Sequence, residues 1–210
     1  MTRAEQDLTA LTKARYDRQA SLYDLKNWPV ERLGLGRLRK RLWDQVKPGN
    51  ILEVGVGTGA NFPFYPAGGE ITGIDLSGRL LEKAVARAKK LNLKVKLIQM
   101  DVEELEFPDN SFDAVVATCV FCSVPVPVQG LREVRRVVKK EGKAFFLEHV
   151  RRDTALAGAI MDLVNPLVVR MMGANINRRT LNNISLAGLE LEKVESFFFD
   201  IGKLIVARPG

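Results

Sequence analysis

Sulfur and imidazole are scarce in this chain of 210 residues, which holds two cysteines and one histidine. Two cysteines cannot build a disulfide framework, so a reducing cytosol is the expected setting. Cys119 and Cys122 form a C-x-x-C with no second pair, and a single histidine leaves a metal site short of ligands; no metal is expected. A redox role would want the pair at a helix start after a first strand, so both thiols read as buried and inert. Long apolar runs are also missing. The most apolar helical stretch, residues 158–173, is interrupted by Asp162, Asn165, Pro166 and Arg170, whereas a spanning helix needs about 20 apolar residues. The start, Thr2-Arg3-Ala4-Glu5-Gln6-Asp7, has none of the apolar character of a secretory signal. There is no repeat, linker or low-complexity segment. With 46% hydrophobic and 27% charged residues, the composition is that of one globular domain with a substantial core.

The formal net charge of +7 is unevenly placed. Residues 1–50 carry a net +5, residues 51–150 are balanced, and residues 151–210 carry +2. Leu35, Leu38, Leu42 and Val46 recur at helical spacing with Arg37, Arg39, Lys40 and Arg41 between them and Trp43 beside the stripe. Such a helix either packs its leucines on the sheet or lies on anionic lipid, where each basic residue adds roughly 1 kcal/mol. Nucleic acid is not expected, because the basic residues are not interleaved with stacking aromatics.

The densest signal is Ile51-Leu52-Glu53-Val54-Gly55-Val56-Gly57-Thr58-Gly59: an apolar run, then a glycine-rich turn. Asp75 follows 16 positions after the last glycine and closes a second strand-like run, Ile71–Asp75. A parallel α/β sheet builds a nucleoside pocket this way. The glycines let the backbone approach the ligand, and the carboxylate at the next strand tip takes the ribose hydroxyls. Gly55, Gly57 and Ala60 also fit the dinucleotide pattern G-x-G-x-x-G/A, which would mean a nicotinamide or flavin enzyme. Glu53 before three alternate glycines fits a different pattern, E-x-G-x-G-x-G. Downstream residues favour the latter. Residues 95–100 read as a third strand with Asp101 and Val102 at its tip, placed to meet an adenine amine and ring. Residues 111–118 read as a fully buried, valine-rich fourth strand.

Around these lie two amino-terminal helices (about 8–25 and 35–46), a crossover helix over 76–91 begun by Ser77 as a cap, a helix over 129–138 and a fifth strand over 143–148. Helices over 154–172 and 178–187 follow, with Gly173 between them, then two β-rich runs at 189–199 and 203–208 that pair as a hairpin. The expected fold is α/β: a Rossmann-like, doubly wound, seven-stranded, mostly parallel sheet with one antiparallel strand and helices on both faces. The whole chain, 1–210, reads as one domain: a helical cap over 1–47, a nucleoside-binding core over 48–150, and substrate-side helices and hairpin over 151–210.

E-V-G-V-G-T-G at 53–59, Asp75, Met100-Asp101-Val102, F-P-D-N-S-F-D at 107–113 and L-R-E-V-R-R-V-V-K-K-E-G at 131–142 come in one order over about half the chain. In this the sequence resembles the class I S-adenosylmethionine (SAM) dependent methyltransferases. Within them it is similar to small lipid-directed members: phospholipid N-methyltransferases, ubiquinone/menaquinone C-methyltransferases and membrane-associated thiol methyltransferases. Residues 61–66 and Glu148-His149-Val150 look most like the thiol group. The start, Ala14 through Asp24, looks more like the phospholipid enzymes.

The resemblance implies SAM as cofactor, S-adenosylhomocysteine as product and no metal. It implies a cofactor site of Glu53, Gly55, Gly57, Gly59, Asn61, Asp75, Leu76, Asp101, Val102, Thr118 and Cys119. Glu53 is expected to face the cofactor's amino end or to cap its strand, and Asp75 to take the ribose. Asp101 either meets the adenine or caps a helix over 102–105. His149 sits past the fifth strand, where it is either a base and substrate contact or structural. Tyr16, a second catalytic candidate, and Tyr23, a substrate contact, are expected to close over the cofactor or to pack their helices. Arg178 and Arg179, beside Asn175 and Asn177, either meet a polar headgroup or form a helix cap and solvated face. The implied acceptor is a lipid or amphipathic small molecule, with phosphatidylethanolamine first and quinone precursors or thiols as alternatives. The expected location is cytoplasmic, with peripheral contact at the inner face of an anionic membrane. The competing classes are a nicotinamide-binding oxidoreductase and a SAM-binding module without catalysis.

Overall fold

The valine-rich run centred on Val115 is the centre of the sheet, and Ala114–Thr118 are all buried. The computed structural model describes residues 2–210, apart from the side chain of Met172. Helices α1 (Arg3–Gln19), α2 (Tyr23–Val30) and α3 (Gly36–Trp43) precede β1 (Asn50–Val54). Then come β2 (Glu70–Asp75), α4 (Gly78–Lys90), β3 (Lys96–Gln99), β4 (Phe112–Thr118), α5 (Pro127–Val137) and β5 (Val138–His149). The chain ends with α6 (Ala155–Met172), α7 (Thr180–Leu186), β6 (Leu189–Phe197) and β7 (Gly202–Pro209). Sheet order is β3-β2-β1-β4-β5-β7-β6, and only β7 runs against its neighbours. The Rossmann-like arrangement expected from the sequence is therefore the fold. Chain direction across the sheet reverses between β1 and β4, which opens a crevice beyond the carboxyl ends of those strands.

Alternation along each strand sends side chains to two layers. Leu52, Val54, Val115, Ala117 and Phe146 pack with Leu131 and Val134 of α5 and Ile184 of α7. Ile51, Val116, Phe145 and Leu147 pack with Leu42 and Trp43 of α3. Ser77 caps α4, its hydroxyl accepting from the Leu80 amide at 3.2 Å. Asp113 ties strand starts together, accepting from the Asn50 amide at 2.8 Å and from Lys139 Nζ at 2.6 Å.

Three local expectations change. The helix expected over 8–25 is two helices, because the chain tightens at residues 20–22, where Ala20 is buried and Lys83 donates to the Ser21 carbonyl. The fifth strand starts at Val138, five residues early, with a register shift opposite Asp113. No helix forms over 102–105; the Asp101 side chain closes a turn by accepting from the Glu103 amide at 2.9 Å.

For the basic helix, the structure agrees with the packing alternative. Leu42, Trp43 and Val46 are buried against the sheet. Arg39 pairs with Glu31, Lys40 with Asp44 and Arg41 with Glu195. With its apolar side occupied and most of its charge paired, α3 is a packing helix and not a free lipid-facing one.

Candidate functional site

The crevice holds a partly open cavity, about 680 Å³ when the solvent space at its mouth is counted. Its floor comes from the β1 turn (Gly55, Gly57), the β2 tip (Asp75, Leu76), the β3 tip (Met100, Asp101, Val102) and the β4 tip (Thr118, Cys119, Val120). Its roof comes from the amino-terminal segment, with Thr12, Tyr16 and Tyr23. Gly55 and Gly57 have φ of +66° and +57°, left-handed backbone that glycine adopts without strain. A Cβ on Gly55 would collide with Val120, so the close packing of loop against loop there requires the bare backbone.

Asp75 organises the floor. Its Oδ2 accepts from the Gly57 amide at 2.8 Å and its Oδ1 from the Ser77 amide at 2.9 Å. Each oxygen keeps a lone pair for a ligand hydroxyl. Burial pushes the carboxyl up to about 6, partly opposed by those two amides.

Glu53 lies deeper and does not line the cavity. It is buried, accepting from Asn61 Nδ2 at 2.6 Å and from the Tyr65 hydroxyl. Asn61 also accepts from Arg39 Nη1 at 2.9 Å, and Arg39 pairs with Glu31. The chain Glu31–Arg39–Asn61–Glu53–Tyr65 thus braces the glycine turn from behind. Burial pushes Glu53 up to about 7. Gly59 belongs to this packing too, since a Cβ there would collide with the Phe62 ring.

The roof is held by polar contacts. Asp17 accepts from the Ser77 hydroxyl at 2.5 Å, Asp24 accepts from the Thr58 hydroxyl at 2.6 Å and pairs with Arg87, and the Thr9 hydroxyl donates to Glu103 at 3.2 Å. No residue of α1 is fully buried, although several, Tyr16 among them, are partly covered. The Tyr16 and Tyr23 rings stand 6.3 Å apart, and the Tyr16 hydroxyl bonds to Ser123 Oγ at 2.5 Å. Burial raises both phenols well above their ordinary range, so they remain neutral hydroxyls and not bases.

Of the thiols, Cys122 is buried but Cys119 is exposed, correcting the expectation that both are buried. Cys119 opens onto the cavity, where protein on the other sides pushes its thiol up to about 12. It sits at φ +56°, an uncommon conformation for a side-chain-bearing residue. His149, half-buried and with its pKa lowered by burial, pairs with Gly202 across the sheet and does not line the cavity. Arg178 donates to the Val124 carbonyl at 2.7 Å, bracing the loop that follows β4, while Arg179 is exposed before α7. Neither arginine lines the cavity.

Glu148 is the residue the sequence reading left without a role. It is 1% exposed, and its Oε1 accepts from the Val120 and Phe121 amides at 2.8 and 3.1 Å. It therefore holds the loop carrying Cys119 and Val120. A carboxylate ending the apolar run Ala144-Phe145-Phe146-Leu147 was the signal, since buried charges need partners.

Residues 52–146 match the family described as Methyltransferase domain. Phosphatidylethanolamine N-methyltransferase of Cereibacter sphaeroides is 36% identical over 143 residues, covering 64% of this chain and 70% of that protein. The chain belongs to the SAM-dependent methyltransferases. Thiol S-methyltransferase TMT1B of Mus musculus is 38% identical over 122 residues, covering 53% of this chain and 50% of that protein. The chain thus spans about half the length of that relative. Among solved structures, a geranyl diphosphate methyltransferase in complex with SAM shares the fold at TM-score 0.68 and 15% identity, over 83% of this chain and 85% of that one.

The methyltransferase cavity fits its cofactor on its own geometry: a glycine cradle and a strand-tip carboxylate with free lone pairs. Gly55, Gly57, Asp75, Asp101 and Val102 all line this cavity and would be the residues that hold the cofactor. SAM supplies an electrophilic methyl group that carries its own leaving group. The chain aligns the acceptor and excludes water, which is where positioning catalysis gains most.

Burial also pushes Glu148 up to about 7, against 4.5 for the ordinary group. The folded protein then binds more protons than the unfolded chain between those values, so stability is fullest below about pH 4.5 and falls as pH rises towards 7. Glu148→Gln keeps an acceptor for the two amides and removes the titration. The melting temperature of the variant is expected to vary less between pH 5 and pH 8 than that of the wild type, measured side by side.

Proposed function

We propose that this methyltransferase N-methylates the amine headgroup of phosphatidylethanolamine. One observation carries the choice of acceptor. Among the described residues, the cavity lining includes two carboxylates, Asp75 and Asp101, and no lysine, arginine or histidine. An ethanolamine headgroup arrives as an ammonium, gives up one proton to solvent so that its nitrogen lone pair can take the methyl from the sulfonium, and leaves as a methylated ammonium; this lining favours the cation at both ends. Thiolates and ionised quinone precursors arrive as anions and gain nothing from it. The faces of Tyr16 and Tyr23 add cation–π attraction for an alkylammonium, worth about 0.5–2 kcal/mol. The similarity to phosphatidylethanolamine N-methyltransferase supports the same reading.

In this reading the roof of residues 1–47 closes the cavity, residues 48–150 hold the cofactor, and the carboxyl-terminal part lies on the acceptor side. Tyr16 and Ser123 position the amine through hydroxyls, and Glu53, Asn61 and Glu148 act on the loops behind. The headgroup is reached at a membrane surface on the cytoplasmic side.

The test supplies methyl-labelled SAM with phosphatidylethanolamine vesicles, a small alkyl thiol or a demethylated quinone analogue in parallel. Label is expected in the phospholipid, as the mono-N-methyl product. Label found only in the thiol or the quinone would overturn the headgroup reading.

A further inference from the structure

Helix α6 is amphipathic in the wrong sense for a helix facing water. Leu156, Ile160, Leu163, Leu167 and Met171 recur at helical spacing and are exposed, Leu163 by 80%. At about 100° per residue these five fall in one stripe. The protein side of the helix is carried instead by Gly158 and Met161, roughly opposite. The apolar face therefore points away from the molecule.

Two neighbouring features extend it. The turn between β6 and β7 holds Phe198 and Phe199 at φ +51° and +55°, with Phe199 89% exposed. Left-handed backbone at two aromatic residues costs roughly 1–2 kcal/mol each and needs a reason. The Val150 amide donates to the Ile201 carbonyl at 2.7 Å, so the segment that leads into α6 leaves from beside that turn. At the other end, Arg15 of α1 lies against Gly173 after α6. Between α1 and α6 runs a cleft of about 960 Å³, by the same measure as the cavity, with Arg15, Arg18 and Arg170 beside Leu11, Pro166 and Val169. Among the described residues none of these three arginines has a salt bridge.

We infer that α6 and the Phe198–Phe199 turn form a docking surface for an anionic phospholipid bilayer, with Arg15, Arg18 and Arg170 meeting lipid phosphates. Charge decides the occupant. A second copy of the chain would set these unpaired arginines against their own kind, whereas anionic headgroups neutralise them. Exposed apolar stripe, aromatic tip and basic rim are together the composition of an interfacial surface. No helix among the described residues is long and apolar enough to cross a membrane, so the contact lies in the interface. The inference takes its purpose from the lipid-acceptor reading, but its geometry is independent of the cavity.

The test is co-sedimentation of the full chain with vesicles of equal phosphatidylcholine and phosphatidylglycerol, or of phosphatidylcholine alone. Neither SAM nor phosphatidylethanolamine is present, so the outcome does not depend on the acceptor. Wild type is expected to pellet with the anionic vesicles and much less with the neutral ones. Leu163→Glu with Leu167→Glu is expected to lower partitioning by roughly tenfold or more. Both positions face outward, so SAM binding and melting temperature should stay at wild-type values. Arg15→Glu with Arg170→Glu is expected to abolish the preference for anionic vesicles. Wild type remaining in the supernatant, or leucine variants that pellet as wild type does, would overturn the docking surface. So would a concentration-dependent dimer that the leucine variants abolish, since a second copy would then cover the stripe. If vesicles are bound but phosphatidylethanolamine is not methylated, the acceptor reading fails and the docking surface stands.

Discussion

Asp75→Ala is expected to weaken SAM binding by about 100-fold or more. In the proposed cofactor site the carboxylate would accept from two ribose hydroxyls, and hydrogen bonds to a charged partner contribute about 1.5–3 kcal/mol each. It also holds the Gly57 and Ser77 amides, so its loss loosens the turn that forms the cradle. Asp75→Asn should fall between, because its amide group presents a donor where one of those backbone donors points. The same carboxyl sets a pH dependence. With its pKa pushed up to about 6, lowering the pH through that value protonates the ribose acceptor in the free enzyme. Affinity in the wild type should then fall towards tenfold per pH unit below 6, and in Asp75→Ala it should be nearly flat. Calorimetric titration of SAM at pH 5, 6 and 8 reads both effects.

Gly55→Ala is the second large effect, and Gly57→Ala is its control. At Gly55 the added methyl meets Val120, whose amide is held by Glu148 at 2.8 Å, so the neighbour cannot retreat freely. Left-handed strain of about 1–2 kcal/mol adds to an overpacking cost of about 1–3 kcal/mol. Gly55→Ala should therefore lose stability in urea unfolding and lose SAM affinity together. At Gly57 the nearest atom to an added Cβ is Tyr23 Cε1 at 4.0 Å. That variant should keep most of its stability, losing only the strain, while the methyl intrudes where the cofactor lies. The split between the two variants tests whether the loops fit each other at Gly55 and the ligand at Gly57.

What the sequence made legible follows from short-range physics. Glycines before a strand-tip acid and the short apolar runs of β1 and β4 each have a local cause, and they placed Gly55, Gly57, Asp75, Asp101 and Val102 on the cavity. Ligands of a nucleoside pocket sit at strand ends, where chain order fixes them. The misses are long-range. Glu53 and Asn61 bear on the turn from behind because Tyr65 and Arg39 arrive from other elements. His149 stands at the carboxyl edge of the sheet, but it sits opposite Gly202 of β7 and does not line the cavity. The basic run of α3 left packing and lipid contact both open, because its partners, Glu31 and Glu195, lie 8 residues before Arg39 and far downstream of Arg41. The exposed stripe of α6 was visible as an apolar helix, but its outward direction is a tertiary fact.

The roof over the cavity has a kinetic consequence. No residue of α1 is fully buried, and the roof is held by part-buried polar contacts at Asp17, Asp24 and Thr9, each worth about 1 kcal/mol. Opening that door leaves the sheet's core packing intact, so the free energy of opening is separable from the free energy of folding. If spent cofactor leaves by that route, its release rate is expected to follow the strength of these few polar contacts and not that of the packed core.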